Sequence, residues 1–419
     1  MSFETISVIG LGYIGLPTAA VFASRKKKVI GVDVNQHAVD TINQGKIHIV
    51  EPQLDIVVRA AVSEGYLRAT AIPEAADAYI IAVPTPFKDD HVPDLKYIES
   101  ASKAIAPTLK RGSLVILEST SPVGATEQMA EWLAEARPDL TFPQQKGESS
   151  DIRIAHCPER VLPGHVIREL VQNDRVIGGM TPACSQAAVD LYKTFVEGEC
   201  ITTNARTAEM CKLTENASRD VSIAFANELS LICDDQGINV WELISLANRH
   251  PRVNILQPGP GVGGHCIAVD PWFIVSANPK LSRLIRTARE VNDSKPDWVV
   301  QKTEQAIAQT QRLLDGRRKP RVAVAGLAFK PDIDDLRESP AMKIAEILSQ
   351  RTDIDLQFVE PNIEQLPGNL KNGTFSKDII ASSNWCDLIL ILVDHSLFAT
   401  SLSKIPKDIV HIDTRGLLK

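Results

Sequence analysis

Residues 5–15 read TISVIGLGYIG. TISVIG is the apolar, β-branched composition of a strand. Gly10, Gly12 and Gly15 then spell G-x-G-x-x-G, and PTAAVFAS at 17–24 continues as a helix. A strand, a glycine turn and a helix in that order present the helix N-terminus to an anion, because its first N–H groups lack partners and its dipole is positive there. The next strand-like run, KVIGVDVN at 28–35, carries Asp33. A carboxylate at that place accepts hydrogen bonds from ribose hydroxyls and repels a 2′-phosphate, which favours NAD over NADP. A tight turn without a ligand is the bland reading; the strand before, the helix after and Asp33 beyond weigh against it.

Working outward, strand-like runs recur as AYIIAVPTP (78–86) and SLVILEST (113–120), with helical segments between and Pro73, Pro84 and Pro86 at the edges. That alternation predicts a parallel, doubly wound sheet. Residues 207–236 differ: Met210, Leu213, Ala217, Val221, Ala224, Leu231 and Ile232 recur at helical spacing, and Gly237 stands where a C-cap would. A helix that long between two α/β regions suits a dimer interface. The α/β pattern then returns in RVAVAGLAFK (321–330), LQFVEPN (356–362), LILILVDH (388–395) and IVHIDTRG (409–416), with the basic linker GRRKPR at 316–321. The expected fold is α/β, two Rossmann-like doubly wound domains joined by a central long helix and a helical dimerisation region. The expected domains are 1–203, 204–300 and 301–419.

Bulk properties narrow the partners. With 419 residues the chain exceeds one ordinary domain. Its net charge of -7 favours neither nucleic acid nor an anionic membrane. Seven scattered cysteines do not make a disulfide framework. No Lys or Arg precedes Arg25, glycines interrupt the first apolar run, and no apolar run reaches the ~20 residues of a membrane span. The expectation is a cytoplasmic enzyme.

The chemistry concentrates in PGPGVGGHCIAVDPW, 258–272, where Gly259, Gly261, Gly263 and Gly264 precede Cys266 and Asp270. Glycines in such number mark a tight turn or a close approach by a ligand. Cys266 has three readings: a buried apolar thiol, a metal ligand with His265 and Asp270, or a nucleophile with Asp270 as base. No second Cys/His cluster supports a metal. Lys212 and Asn216 stand four apart on the long helix and share a face, either solvated or offering a cation and an amide to an oxyanion. In HCPERVLPG, 156–164, Glu159 and Arg160 follow a strand-like IRIAH; they are loop charges or a general base with its neighbour. NRHPRVN supplies Arg249, His250 and Arg252, a solvated turn or a phosphate and sugar site.

Taken in order, GLGYIG, AVPTP, STSPVG, the PER loop, KLTEN, GGHCIAVD and GLAFKPDIDDLRESP resemble the UDP-glucose/GDP-mannose 6-dehydrogenase family over nearly the whole chain. Members oxidise a sugar C6 alcohol to a carboxylate with two NAD⁺. The CPERVLPG and GGHCIAVDPW forms look like the branch acting on UDP-N-acetylhexosamines. Val269, where the UDP-glucose branch often has lysine, points away from glucose. The resemblance makes Cys266 the nucleophile that captures the aldehyde. Lys212, Asp270 and a water would handle the alcohol proton, and Lys212 and Asn216 the oxyanion. Glu159 would serve thioester hydrolysis, with Thr120 near that water. Tyr13, Ile14, Asp33, Thr85, Thr126 and Arg337 would contact NAD, besides the three glycines. Arg160, Val161, Lys212, Asn216, Arg219, His250, Arg252 and Gly263 would hold the UDP-sugar, Arg252 reaching across a homodimer. Phe329, Lys330 and Arg415 would face it from the C-terminal domain. GLAFK replaces G-x-G-x-x-G there, so that domain would bind UDP rather than a second NAD. No metal is expected.

Overall fold

The structure, a computed structural model, describes residues 3–418 except 50, 163, 265, 402, 403, 407 and 408. His265 therefore lies outside the described residues. The chain divides into two compact units, one ending at Glu215 and one beginning at Asn216.

The first unit is built on strands β1 (Thr5–Ile9), β2 (Lys28–Val32), β3 (Leu67–Thr70), β4 (Ala78–Ile81), β5 (Leu114–Leu117), β6 (Arg153–His156), β7 (Arg175–Gly179) and β8 (Cys200–Asn204). They form one sheet in the order β3-β2-β1-β4-β5-β6-β7-β8. Each neighbouring pair is parallel except β6 and β7, which are antiparallel with His156 opposite Gly178. Alternate residues feed two cores. Ile6, Val8, Ile80 and Ile116 pack with Leu16 and Phe22 of the first helix, Gly15–Ser24. Ile9, Tyr79, Ile81 and Leu117 pack with Met129 and Leu133 on the other face. Helices covering both faces are why these strands read as continuous apolar runs. Each large buried side chain contributes about 1.5–3 kcal/mol.

The second unit repeats the plan at smaller scale. Strands β9 (Arg321–Ala325), β10 (Asp355–Val359), β11 (Thr374–Ser376), β12 (Leu388–Ile391) and β13 (Val410–Asp413) form a parallel sheet in the order β11-β10-β9-β12-β13. That is the order of the first five strands of the larger sheet. Val322, Val324, Leu388 and Leu390 face one core, and Ala323, Ala325, Ile389 and Ile391 the other.

The long helix is present at Ala205–Gln236, and Gly237 ends it with φ 68°. A second long helix, Arg283–Leu314, was not expected from the sequence. Arg289, Asn292 and Lys295 on its buried face interrupt the apolar period, and Pro296 inside it reads as a breaker. The domain break expected at 300/301 falls within this helix, which instead stops at Leu314, beside GRRKPR. Among the described residues no helix is long and apolar enough to cross a membrane.

Candidate active site

At the end of β1 the glycine turn has two kinds of glycine. Gly10 has φ 89°, and a Cβ on it would lie 2.6 Å from the Ala82 carbonyl oxygen; a Cβ on Gly15 would lie 1.8 Å from that of Gly10. Packing demands both. Gly12 has nothing within 4 Å of a would-be Cβ, so its bareness serves an approach from outside. The first helix begins with no side-chain cap at Ile14; in its first turn the Leu16 N–H donates to the Gly12 carbonyl at 3.1 Å and Pro17 has no N–H, while the helix dipole still favours an anion there. The half-buried Asp33 accepts the Leu11 N–H at 2.8 Å and the Asn35 N–H at 2.9 Å, which ties the turn to the end of β2. The Thr85 hydroxyl is buried and has no hydrogen-bond partner among the described residues. Leaving a buried hydroxyl unmet costs ~1–3 kcal/mol, a cost a bound ligand removes. Bare Gly12, uncapped helix, Asp33 and Thr85 together fit NAD. Tyr13 is exposed and Ile14 half-buried beside them. Thr126 differs: it is fully buried, and its N–H and hydroxyl both go to Glu209 at 2.8 and 2.6 Å, so its side chain serves a tie to the long helix.

Ligands of open α/β sheets gather at the carboxyl ends of the strands. Glu118 and the half-buried Thr120 follow β5 there, and Glu159 and Arg160 follow β6. Because β7 runs backwards, its first residue, Arg175, arrives at the same edge. Arg175 Nη2 donates to Glu159 Oε2 at 3.0 Å, and Nη1 to Glu118 Oε1 at 3.4 Å. The Arg160 N–H donates to Glu159 Oε1 at 2.6 Å. The Arg160 guanidinium pairs with Glu215 on the long helix at 2.7 Å, and Val161 is half-buried next to it. Burial pushes the Glu118 carboxyl up to about 7; Arg175 pulls it down and Glu159 adds to the rise. Sequence reading missed Glu118 and Arg175. Nothing in ILEST or DRVIGG distinguishes them from strand-end charges, since their pairing is tertiary.

In the second unit, Asn216 Nδ2 donates to Asp270 Oδ2. Asp270 is buried and opens the helix Asp270–Ala277. Its N–H donates to the Cys266 carbonyl at 2.8 Å, so the exposed Cys266 stands one turn ahead of that helix, where the dipole favours negative charge. Lys212, half-buried, lies one turn before Asn216 along the long helix.

The glycines before Cys266 have protein neighbours. A Cβ on Gly259 would meet the Arg415 guanidinium at 2.6 Å; on Gly263, the Glu338 carbonyl oxygen at 2.4 Å; on Gly264, the Phe329 ring at 3.0 Å. Gly261 runs against Pro340. The expectation was a tight turn or a ligand's approach; the neighbours seen at these glycines are protein atoms of GLAFKPDIDDLRESP and Arg415. From the other side Asn227, fully buried, accepts the Gly259 N–H at 2.9 Å and donates to Asn292, which donates to Asp220 at 2.8 Å. Arg219, His250 and Arg252 are exposed, with His250 Nδ1 accepting the Arg252 N–H at 3.4 Å. Arg337 is exposed and paired with Asp335 at 2.6 Å; Lys330 is half-buried; Arg415 pairs with Asp394 at 2.8 Å.

Comparison with known proteins matches three models of the UDP-glucose/GDP-mannose dehydrogenase family in order: the NAD binding domain at 4–196, the central domain at 206–294 and the UDP binding domain at 323–419. The chain belongs to this family. It is an oxidoreductase, and NAD is its cofactor. It is 67% identical to UDP-N-acetyl-D-mannosamine dehydrogenase of Yersinia pestis, with all of both chains covered. It is 64% identical to NDP-N-acetyl-D-galactosaminuronic acid dehydrogenase of Ralstonia nicotianae, covering all of this chain and 97% of that one. A solved structure of UDP-N-acetyl-mannosamine dehydrogenase from S. aureus is 43% identical and superimposes with a TM-score of 0.86, over 99% of this chain and 96% of that one. In this family member the smaller sheet matches the UDP binding domain and not a second NAD domain, as the loss of G-x-G-x-x-G there implies.

Proposed function

We propose that this chain oxidises UDP-N-acetyl-D-mannosamine at C6 to the uronate in four electrons. The product would feed a surface polysaccharide such as enterobacterial common antigen. The names of relatives at 67% and 64% identity support an N-acetylhexosamine substrate. Val269 in place of lysine supports it further. The observation that carries the four-electron reading is an exposed thiol, Cys266, fixed through its carbonyl to Asp270, whose carboxylate is held by Asn216.

Gly12, the uncapped first helix, Asp33 and Thr85, with Tyr13, Ile14 and Arg337, would hold NAD⁺, which when bound would supply the hydride acceptor for both oxidations. The chain's own residues do the rest. Lys212 and Asp270, with a water, take the C6 hydroxyl proton. Cys266 sulfur adds to the aldehyde carbon, and the Lys212 ammonium and Asn216 amide stabilise the oxygen's developing charge. The adduct is a thiohemiacetal, and the second oxidation leaves a thioester. Water then adds to that carbon, Glu159 takes its proton with Thr120 nearby, and Cys266 leaves as thiolate. Arg160, Val161, Arg219, His250, Arg252, Gly263, Phe329, Lys330 and Arg415 contact the UDP-sugar. Exposed Met210, Phe225 and Ile232 on the long helix support a homodimer. The scattered, odd set of cysteines supports a cytoplasmic enzyme.

The test is NADH yield from limiting UDP-ManNAc, UDP-GlcNAc, UDP-GalNAc, UDP-glucose and GDP-mannose in parallel. Two NADH per UDP-ManNAc, with little from the others, is the expected result; one NADH per sugar refutes the thioester route. Cys266→Ser should abolish uronate, since a hydroxyl is far the weaker nucleophile at neutral pH. Steady carboxylate from that variant refutes the covalent step.

A further inference from the structure

The larger sheet buries three charged groups at one edge. Arg175 lies between two carboxylates that come from different strands, Glu159 after β6 and Glu118 after β5. All three are almost wholly enclosed. The guanidinium has little freedom: it stacks on Tyr192 at 4.6 Å and lies 5.6 Å from the Phe195 ring. Glu118 is equally constrained. It accepts from the Tyr192 hydroxyl at 3.0 Å and from the Thr18 hydroxyl on the first helix at 3.2 Å. Tyr192, through its hydroxyl, and Cys157, whose Sγ lies 3.7 Å from Arg175 Nη1, are further titratable groups facing this cluster. One cation against two carboxylates leaves one negative charge too many for so enclosed a place, and one proton removes it.

We propose that Arg175 positions Glu159 for the hydrolytic step and that Glu118, across the same guanidinium, shares one proton with Glu159. This rests on the role given to Glu159 above. With Glu118 ionised, the enclosed cluster carries one excess negative charge, which a proton taken from water cancels. Water gives its proton to Glu159 as its oxygen bonds the thioester carbon, the C–S bond breaks, and the sulfur keeps the electron pair as thiolate. Nothing is oxidised or reduced. The proton taken up is then held by the pair rather than by Glu159 alone. Burial is what keeps a proton available near neutrality, since it raises the Glu118 carboxyl.

Glu118→Gln keeps the shape and the hydroxyl contacts but cannot hold or release that proton. Infrared difference spectra of the full-length protein should show a protonated-carboxyl band that fades as pH rises through about 7 in the wild type and is missing in Glu118→Gln. In single-turnover kinetics, wild-type thioester hydrolysis should accelerate across that same pH. Glu118→Gln should lose the inflection and run about tenfold slower at pH 8, with the first oxidation within about twofold. Arg175→Lys keeps the charge but not the fork that reaches both carboxylates. It should accumulate the acyl-enzyme, visible as added mass on the intact protein. A band retained in Glu118→Gln, or none in the wild type, overturns the shared proton. Equal loss in both oxidations and hydrolysis, with no acyl-enzyme, overturns the positioning role. If the wild type makes no uronate from any sugar, the functional reading fails separately, and the infrared titration still decides the pair.

Discussion

The two sheets are near copies up to the point where a ligand would arrive. In the larger, the Gly10 N–H bonds the Val32 carbonyl and the Leu11 N–H bonds Asp33, both at 2.8 Å. In the smaller, the Gly326 N–H bonds the Val359 carbonyl and the Leu327 N–H bonds Glu360, again at 2.8 Å. Gly10 and Gly326 have φ of 89° and 92°. Then they part. Asp33 is half-buried, and the helix that follows the Gly10 turn starts uncapped at Gly15. Glu360 is fully buried, and His395 Nε2 sits 3.0 Å from it. Because His395 Nδ1 accepts the Asp332 N–H, Nε2 carries the proton donated to Glu360. The helix there starts at Pro340 behind Ser339, whose hydroxyl accepts the Met342 N–H and donates to Leu327. One turn leaves its polar groups to a visitor; the other spends them at home. A shared strand order therefore says little about what binds, and capping and burial say much.

The sharpest break of this contrast is Gly15→Ala. A carbon 1.8 Å from a carbonyl cannot be housed, so we expect loss of NAD binding and a cost of ~3 kcal/mol or more in thermal unfolding. Gly12→Ala should separate the two effects, weakening NAD about tenfold in a fluorescence titration with stability almost unmoved. Glu360→Ala should cost ~3 kcal/mol, because it strands the Leu327, Ala328 and His395 donors, and leave NAD affinity alone. Asp33→Ala should cost little stability and erode discrimination against NADP. Equal effects on NAD from the two acids would erase the distinction.

Glu118 adds a pH term to the larger sheet. Its folded value, about 7, lies above the ordinary 4.5, so the folded state holds the extra proton between those values and loses stability as pH rises through them. Glu118→Gln should flatten that loss, by at most ~3 kcal/mol, in urea unfolding at pH 5 and pH 8. The smallest effect belongs to Ser339→Ala, about 1 kcal/mol for a lost cap, with no change in NAD binding.

Much of this was legible in the sequence because parallel strands covered on both faces are written as unbroken apolar runs. TISVI, KVIGV, AYII, LVIL, RVAVA and LILI all became strands. β3, β8 and β11 were not read, since exposed residues such as Arg68, Ile201 and Thr374 break the run. Nor was Arg175, whose reversed strand only pairing reveals. Glu118 sits plainly in SLVILEST, but a carboxylate declares its partners only when the chain is folded. The glycines before Cys266 read as a tight turn or room for a ligand, and only the fold shows Phe329, Glu338 and Arg415 against them.

The long helix also works as a ruler. Asp220 and Asn227 are two turns apart on it, and both are read by Asn292, while Asn227 alone reads Gly259. Adding or deleting one residue between them would turn one site about 100° and shift it about 1.5 Å relative to the other. Both could not then find their partners. Length variation among natural or laboratory variants should therefore be absent between Asp220 and Asn227, however freely the outward-facing side chains there are exchanged.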